Sequence, residues 1–109
     1  MWTVVYHPDA ESELDQLPAT ERAAMFHAIE KLEALGPRLP FPHQSSVRGH
    51  AGSLRELRSR AGRSRWRGLY DRRGDIFVIA AIGPEADVDR RGFDRAVAAA
   101  LRRLDEIET

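Results

Sequence analysis

Read by its apolar positions, the chain is organised around residues 54–83, LRELRSRAGRSRWRGLYDRRGDIFVIAAIG. Two glycine-containing breaks, Ala61-Gly62-Arg63 and Arg72-Arg73-Gly74, divide this stretch into extended runs at 54–60, 64–71 and 75–83. Short turns of this kind between extended runs predict an antiparallel meander. The third run contains Ile76-Phe77-Val78-Ile79-Ala80-Ala81-Ile82 and no polar residue between them. A strand apolar on both faces belongs in the middle of a sheet, covered from both sides. In the second run, alternation sets Arg65, Arg67 and Leu69 on one face and Trp66, Gly68 and Tyr70 on the other.

The flanking segments complete the fold. Residues 2–6 (WTVVY) are aromatic and β-branched and predict a first strand, ended by His7-Pro8. Ala10, Leu14 and Leu17 recur at helical spacing, predicting a short helix over 9–17 that Asp9 could cap and Pro18 closes. Thr20 is the expected N-cap of a longer helix whose apolar face is Met25, Ala28, Ile29, Leu32 and Leu35, ended by Gly36-Pro37. These two helices should form a hairpin against one face of the sheet. Residues 37–53 show no periodicity and predict a long loop containing His43, Arg48 and His50, of a length at which loops are functional or disordered. Asp89 then caps a last helix buried through Phe93, Val97, Ala100, Leu101, Leu104 and Ile107. The order β-α-α-β-β-β-α predicts one α+β domain over residues 1–109, with a small antiparallel-rich sheet, an N-terminal helical hairpin and a C-terminal helix.

Composition changes this picture in one respect. The 109 residues carry no net charge, but the charges are segregated. Residues 1–35 hold seven acids against Arg22 and Lys31, whereas residues 48–73 hold nine arginines against Glu56 and Asp71. The local field therefore says more than the overall balance. There is no cysteine, hence no disulfide framework or thiolate site, and no histidine pair has metal-ligand spacing. No apolar run approaches the ~18 residues of a membrane span, and residues 1–6 lack the features of a signal peptide, so a cytoplasmic location is expected, with no cofactor.

A solvated strand face can also carry arginine. Nine within 26 residues, with two acids among them, point instead to a polyanionic partner, and RNA suits guanidinium best, because the group pairs phosphates and stacks on bases. Arg67 faces away from Trp66 and Tyr70 and is expected outside the core, so that removing it should cost no more than about 0.5 kcal/mol. Arginine remains charged at neutral pH and cannot act as a base, which leaves His50, Glu56 or a group of the partner for proton transfer.

The runs Leu54-Arg55-Glu56-Leu57-Arg58 and Arg65-Trp66-Arg67-Gly68-Leu69-Tyr70, then an apolar strand and a helix, resemble the core signature of RelE/HigB-type toxins, most of all their phage-derived HigB-like branch. The resemblance implies a RelE-like fold and the toxin of a type II toxin–antitoxin module. It also implies ribosome-dependent mRNA cleavage and neutralisation by a helix-turn-helix antitoxin within a toxin–antitoxin hetero-oligomer. By that resemblance Arg67 is the phosphate-stabilising arginine and Arg58 the arginine that ends the Glu-Leu-Arg strand. Arg67, Arg58 and His50 are the candidate catalytic residues, and Arg48, Arg55, Arg60, Arg63, Arg65, Arg72 and Arg73 the candidate RNA-binding residues. Residues 82–89 (IGPEADVD) are acidic where many relatives are basic. A non-catalytic ParE-like protein that inhibits a protein target such as gyrase is the alternative.

Overall fold

The computed structural model describes residues 1–49 and 52–107. Its strands are β1 (Thr3–Tyr6), β2 (Gln44–Ser46), β3 (Arg55–Arg58), β4 (Trp66–Arg73) and β5 (Ile76–Pro84). Its helices are α1 (Pro8–Asp15), α2 (Ala19–Leu35) and α3 (Arg90–Ile107). The sheet order is β1-β5-β4-β3-β2, with β1 parallel to β5 and the other pairs antiparallel. The predicted meander is therefore β3-β4-β5, and the run without polar residues lies between β1 and β4.

Both faces of β5 are covered, as its composition requires. Phe77, Ile79 and Ile82 join Ala10, Leu14, Met25, Ile29 and Leu32 in a core beneath α1 and α2. Val78, Ala80 and Ala81 join Leu69, Phe93, Val97 and Leu104 in a second core beneath α3. Ala80 and Ala81 share a face because Tyr70 pairs with Ile79 and Leu69 with Ala81, leaving Ala80 as the extra residue of a β-bulge. At Gly83 an added Cβ would lie 2.5 Å from the Ala96 Cβ, so α3 approaches β5 closely there.

β1 pairs only as far as Ile79, so that among the described residues the outer edge of β5 has no strand partner beyond that point. Side chains satisfy it instead. The Ile82 N–H donates to Glu13 Oε1 at 3.0 Å, and Arg103 Nη1 donates to the Ala80 carbonyl at 2.9 Å. Arg103 also pairs with Glu13 through Nη2 at 2.9 Å, tying α3 to α1 across the end of the sheet.

Local chemistry departs from expectation in four places. His7, not Asp9, caps α1, its Nδ1 accepting from the Asp9 N–H at 3.1 Å with Pro8 in the first turn. Pro18, not Thr20, precedes α2. The second hairpin turns at Gly74-Asp75, with Gly74 at φ +62, so Arg72 and Arg73 belong to β4. The predicted loop contains a strand: the Gln-Ser-Ser of β2 has no strand-forming side chains, and pairing with β3 makes it extended. Asp89 does cap α3, accepting from the Gly92 N–H at 2.9 Å. Among the described residues no helix is long and apolar enough to cross a membrane.

Candidate functional site

In β3 Leu57 turns into the core under α1 and α2, so alternation sends Glu56 and Arg58 to the opposite face. There they line a groove of about 410 Å³ whose other walls include Phe41, Ser45, Arg48 and Arg90. The segment carrying Phe41 is drawn in by the short β2, which also brings the Ser45 hydroxyl to 3.3 Å from Arg58 Nη1. The Arg58 guanidinium lies 5.3 Å from the centroid of the Phe41 ring, which is 69% exposed. Its buried Nε makes no hydrogen bond among the described residues. That Nε is closed off, so Arg58 meets the groove through its terminal nitrogens: Nη1 donates to Ser45, and Nη2 makes no hydrogen bond among the described residues.

The turn after β3 shapes this position. Arg60, Ala61 and Gly62 are all left-handed, at φ 53, 56 and +91. Consecutive residues of this kind cost energy where a Cβ is present and occur where the surroundings hold them. An added Cβ at Gly62 would lie 2.8 Å from Arg58 Nη2, so the bare backbone makes room for the guanidinium.

Directly across the ladder from Arg58 is Arg67. It points away from Trp66 and Tyr70 as expected, but it is only 3% exposed. Every donor is engaged. Nε donates to Glu56 Oε1 at 3.2 Å, Nη1 to the carbonyls of Ser64 (2.6 Å) and Trp66 (3.2 Å), and Nη2 to Glu85 Oε2 (2.6 Å) and the Gly62 carbonyl (3.5 Å). The expectation of a free, surface Arg67 is overturned: Glu85, from the acidic segment after β5, covers it. Burial lowers the Arg67 pKa, with Arg58 acting in the same direction. Burial raises that of Glu56, against the pull of Arg67 and Arg58.

The remaining candidates are dispersed over three surfaces. Arg48 is exposed in the groove. Arg55 points to the other face, donating to Gln44 Oε1 and Ser46 Oγ, both at 3.1 Å. Arg72 stacks over Trp2 at 4.9 Å, and Arg73 pairs with Asp71 at 2.6 Å. Around the strained turn, Arg60 pairs with Glu21 of α2, Arg63 donates to the Arg60 carbonyl at 3.1 Å, and Arg65 lies 5.6 Å from the Trp66 ring. The basic stretch is therefore neutralised from outside: Glu21 and Glu85 are distant in sequence, and counting acids within residues 48–73 could not find them. His50 lies outside the described residues. Phe41, Ser45, Arg90 and Glu85 were not singled out by sequence reasoning as site residues. The only signals were the length of the loop and the acidic departure after β5.

No curated protein matches the chain. Among solved structures, a doubly substituted E. coli toxin RelE in the free state is similar at 15% identity, TM-score 0.66, over 94% of this chain and 96% of that one. The toxin–antitoxin complex RelBE2 from Mycobacterium tuberculosis is similar at 25% identity, TM-score 0.58, over 79% and 93%. The archaeal RelE–RelB complex from Pyrococcus horikoshii OT3 is similar at 22% identity, TM-score 0.54, over 76% and 93%. The fold is RelE-like. A family match spans residues 12–82, from α1 through most of β5 and ending before Glu85, and the chain belongs to that family, the phage-derived Gp49-like proteins (DUF891).

Proposed function

We propose that this chain is the toxin of a type II toxin–antitoxin module, in the HigB-like branch, and that it cleaves mRNA on the translating ribosome in the cytoplasm. The observation that carries the reading is the groove in which Arg58, whose Nη2 makes no hydrogen bond among the described residues, shares a wall with the partly buried carboxylate Glu56. In RNA cleavage the 2′-oxygen attacks the adjacent phosphorus, a 2′,3′-cyclic phosphate forms, and the bond to the 5′-oxygen breaks. Glu56 takes the 2′-hydroxyl proton: Oε1 is held by Arg67, Oε2 has no hydrogen-bond partner among the described residues, and its raised pKa makes it a better acceptor. Arg58 stabilises the charge that builds on the phosphorane oxygens. His50 returns a proton to the 5′-oxygen. Phe41, exposed beside Arg58, stacks on a base, and Arg48 and Arg90 hold phosphates. Arg67 does not touch RNA; it positions Glu56.

The similarity of the fold to proteins solved as toxin–antitoxin complexes supports an antitoxin partner, and an acidic segment laid in this groove would neutralise the chain. A helix-turn-helix antitoxin encoded beside it is the expected form. Purified protein added to ribosomes programmed with a defined mRNA should cut the message, and should leave the same RNA intact without ribosomes. Glu56→Gln should slow cutting about 100-fold and His50→Ala should also impair it. An inert, folded parent that instead blocks gyrase supercoiling would replace this reading with the ParE-like one.

A further inference from the structure

On the face of the sheet opposite the groove lies a second cavity of about 220 Å³. Its apolar wall is Leu39 and Phe77, its inner surface includes the Tyr70 ring, and Arg55 and Arg72 also line it. Three observations indicate that it accepts a ligand. Tyr70 is 2% exposed as a residue and lines the cavity, and its hydroxyl, which makes no hydrogen bond among the described residues, is not closed off from that space. Burial pushes the pKa of that hydroxyl up to about 12, so it faces the space as a neutral donor. Finally, two guanidiniums line one small space whose single carboxylate, Asp71, is already taken by Arg73 at 2.6 Å, Ser53 at 2.5 Å and the Arg72 N–H at 2.7 Å.

These features select the ligand by exclusion. A cation is repelled by Arg55 and Arg72. A purely apolar group leaves the Tyr70 hydroxyl without an acceptor. A bare inorganic phosphate leaves the wall of Leu39 and Phe77 uncovered. What fits is a flat, acceptor-bearing ring attached to an anion. The Arg72 guanidinium lies over the Trp2 ring at 4.9 Å and its Nε donates to the Gly74 carbonyl at 2.8 Å, which leaves its terminal nitrogens for a phosphate. We propose that this cavity is a nucleotide site: a base against Leu39 and Phe77 with an acceptor on the Tyr70 hydroxyl, and its phosphate between Arg55 and Arg72. The site is separate from the groove and does not depend on cleavage there. Its ligand is a free mononucleotide or one nucleotide of an RNA chain, which share this chemistry.

Titration calorimetry of the full chain with each of the four ribonucleoside monophosphates, the matching nucleosides, inorganic phosphate, benzoate and a tetraribonucleotide tests the proposal. At least one monophosphate should bind about tenfold more tightly than its nucleoside or phosphate alone. Tyr70→Phe should weaken that binding about fivefold while melting no lower than the parent, because it removes only an unpartnered hydroxyl. Arg72→Ala should weaken it further, and Arg58→Ala, which alters the groove, should leave it unchanged. A tetranucleotide that binds more tightly than the monophosphate and is weakened by Tyr70→Phe assigns the site to RNA, and a tetranucleotide unaffected by Tyr70→Phe assigns it to free nucleotide. Absence of monophosphate binding, tighter binding of benzoate, unaltered binding by Tyr70→Phe, or loss of binding in Arg58→Ala would overturn it.

Discussion

Arg58 and Arg67 face each other across one ladder, yet they belong to different regions. Arg58 lines the groove with Nη1 on Ser45 and Nη2 without a hydrogen bond among the described residues, whereas Arg67 lies beneath it with every donor taken by Glu56, Glu85 and three carbonyls. Like charges directly opposite are destabilising, and the fold answers by setting two carboxylates around one of them. That arrangement makes one arginine a strut and leaves the other available. A cation is functional by virtue of its spare donors, not its position in a motif.

The contrast is broken most severely at Arg67. Arg67→Ala leaves Glu56 and Glu85 without their shared counter-charge, and should destabilise by about 3–5 kcal/mol, as loss of one partner of a buried ion pair does. Chemical denaturation of the parent and variant measures this directly. A loss within about 0.5 kcal/mol would restore the surface arginine expected from the sequence.

Next comes the left-handed turn that separates the two. Gly62→Ala should cost about 2 kcal/mol, from its positive φ and the approach of its Cβ to Arg58. Ala61→Gly, at φ 56 and without that contact, should stabilise by about 0.5 kcal/mol. Thermal melts that move in opposite directions would show that the turn is strained and held in place by its surroundings.

Glu85→Gln sharpens the contrast through charge. It keeps an acceptor near Arg67 Nη2 and should cost about 1 kcal/mol. Glu85 is one of the groups raising the Glu56 pKa, alongside burial, while Arg67 and Arg58 lower it. Across the groove Arg48, Asp87 and Arg90 are unchanged in the variant. Removing the Glu85 charge should therefore move the acidic limb of the cleavage pH profile to lower pH. An unmoved limb would separate Glu56 from the proton transfer.

The smallest effect is at Arg60. Its hydrogen bond, with that of Ser64, lowers the Glu21 pKa. A depressed carboxylate contributes stability above its unfolded pKa and loses it as pH falls through the folded value. Arg60→Ala should thus cost about 0.5 kcal/mol at pH 7 and nothing once Glu21 is protonated, in denaturation curves at the two pH values.

Much of the fold was legible because it is periodic. The apolar run of β5 placed it centrally, and helical spacing found α1, α2 and α3, although Leu35, Leu101 and Ile107, assigned to their buried faces, are exposed near the helix ends or the edge of the stripe. β2 was not legible, since its Gln-Ser-Ser is extended only through pairing with β3. The site was half legible. Arg58 came from the resemblance of its strand to the RelE/HigB signature, Glu56 was one of three open candidates for the base, and the basic stretch was read from its composition. The burial of Arg67 could not, because it depends on Glu85, 18 residues further along the chain, and on carbonyls of a left-handed turn that contains two non-glycine residues. Short-range charge counts do not reveal partners supplied by tertiary structure.

The central claim is that Arg58, not Arg67, is the working cation of the groove. Its most direct test is the single-turnover rate at which Arg58→Ala cuts a defined mRNA on programmed ribosomes, with a thermal melt of the same preparation. The account predicts a melt close to the parent's, because Arg58 gives up one 3.3 Å hydrogen bond to Ser45 and a ring contact, and a rate reduced by about 100-fold or more. A folded Arg58→Ala that cuts at the parent's rate would contradict it.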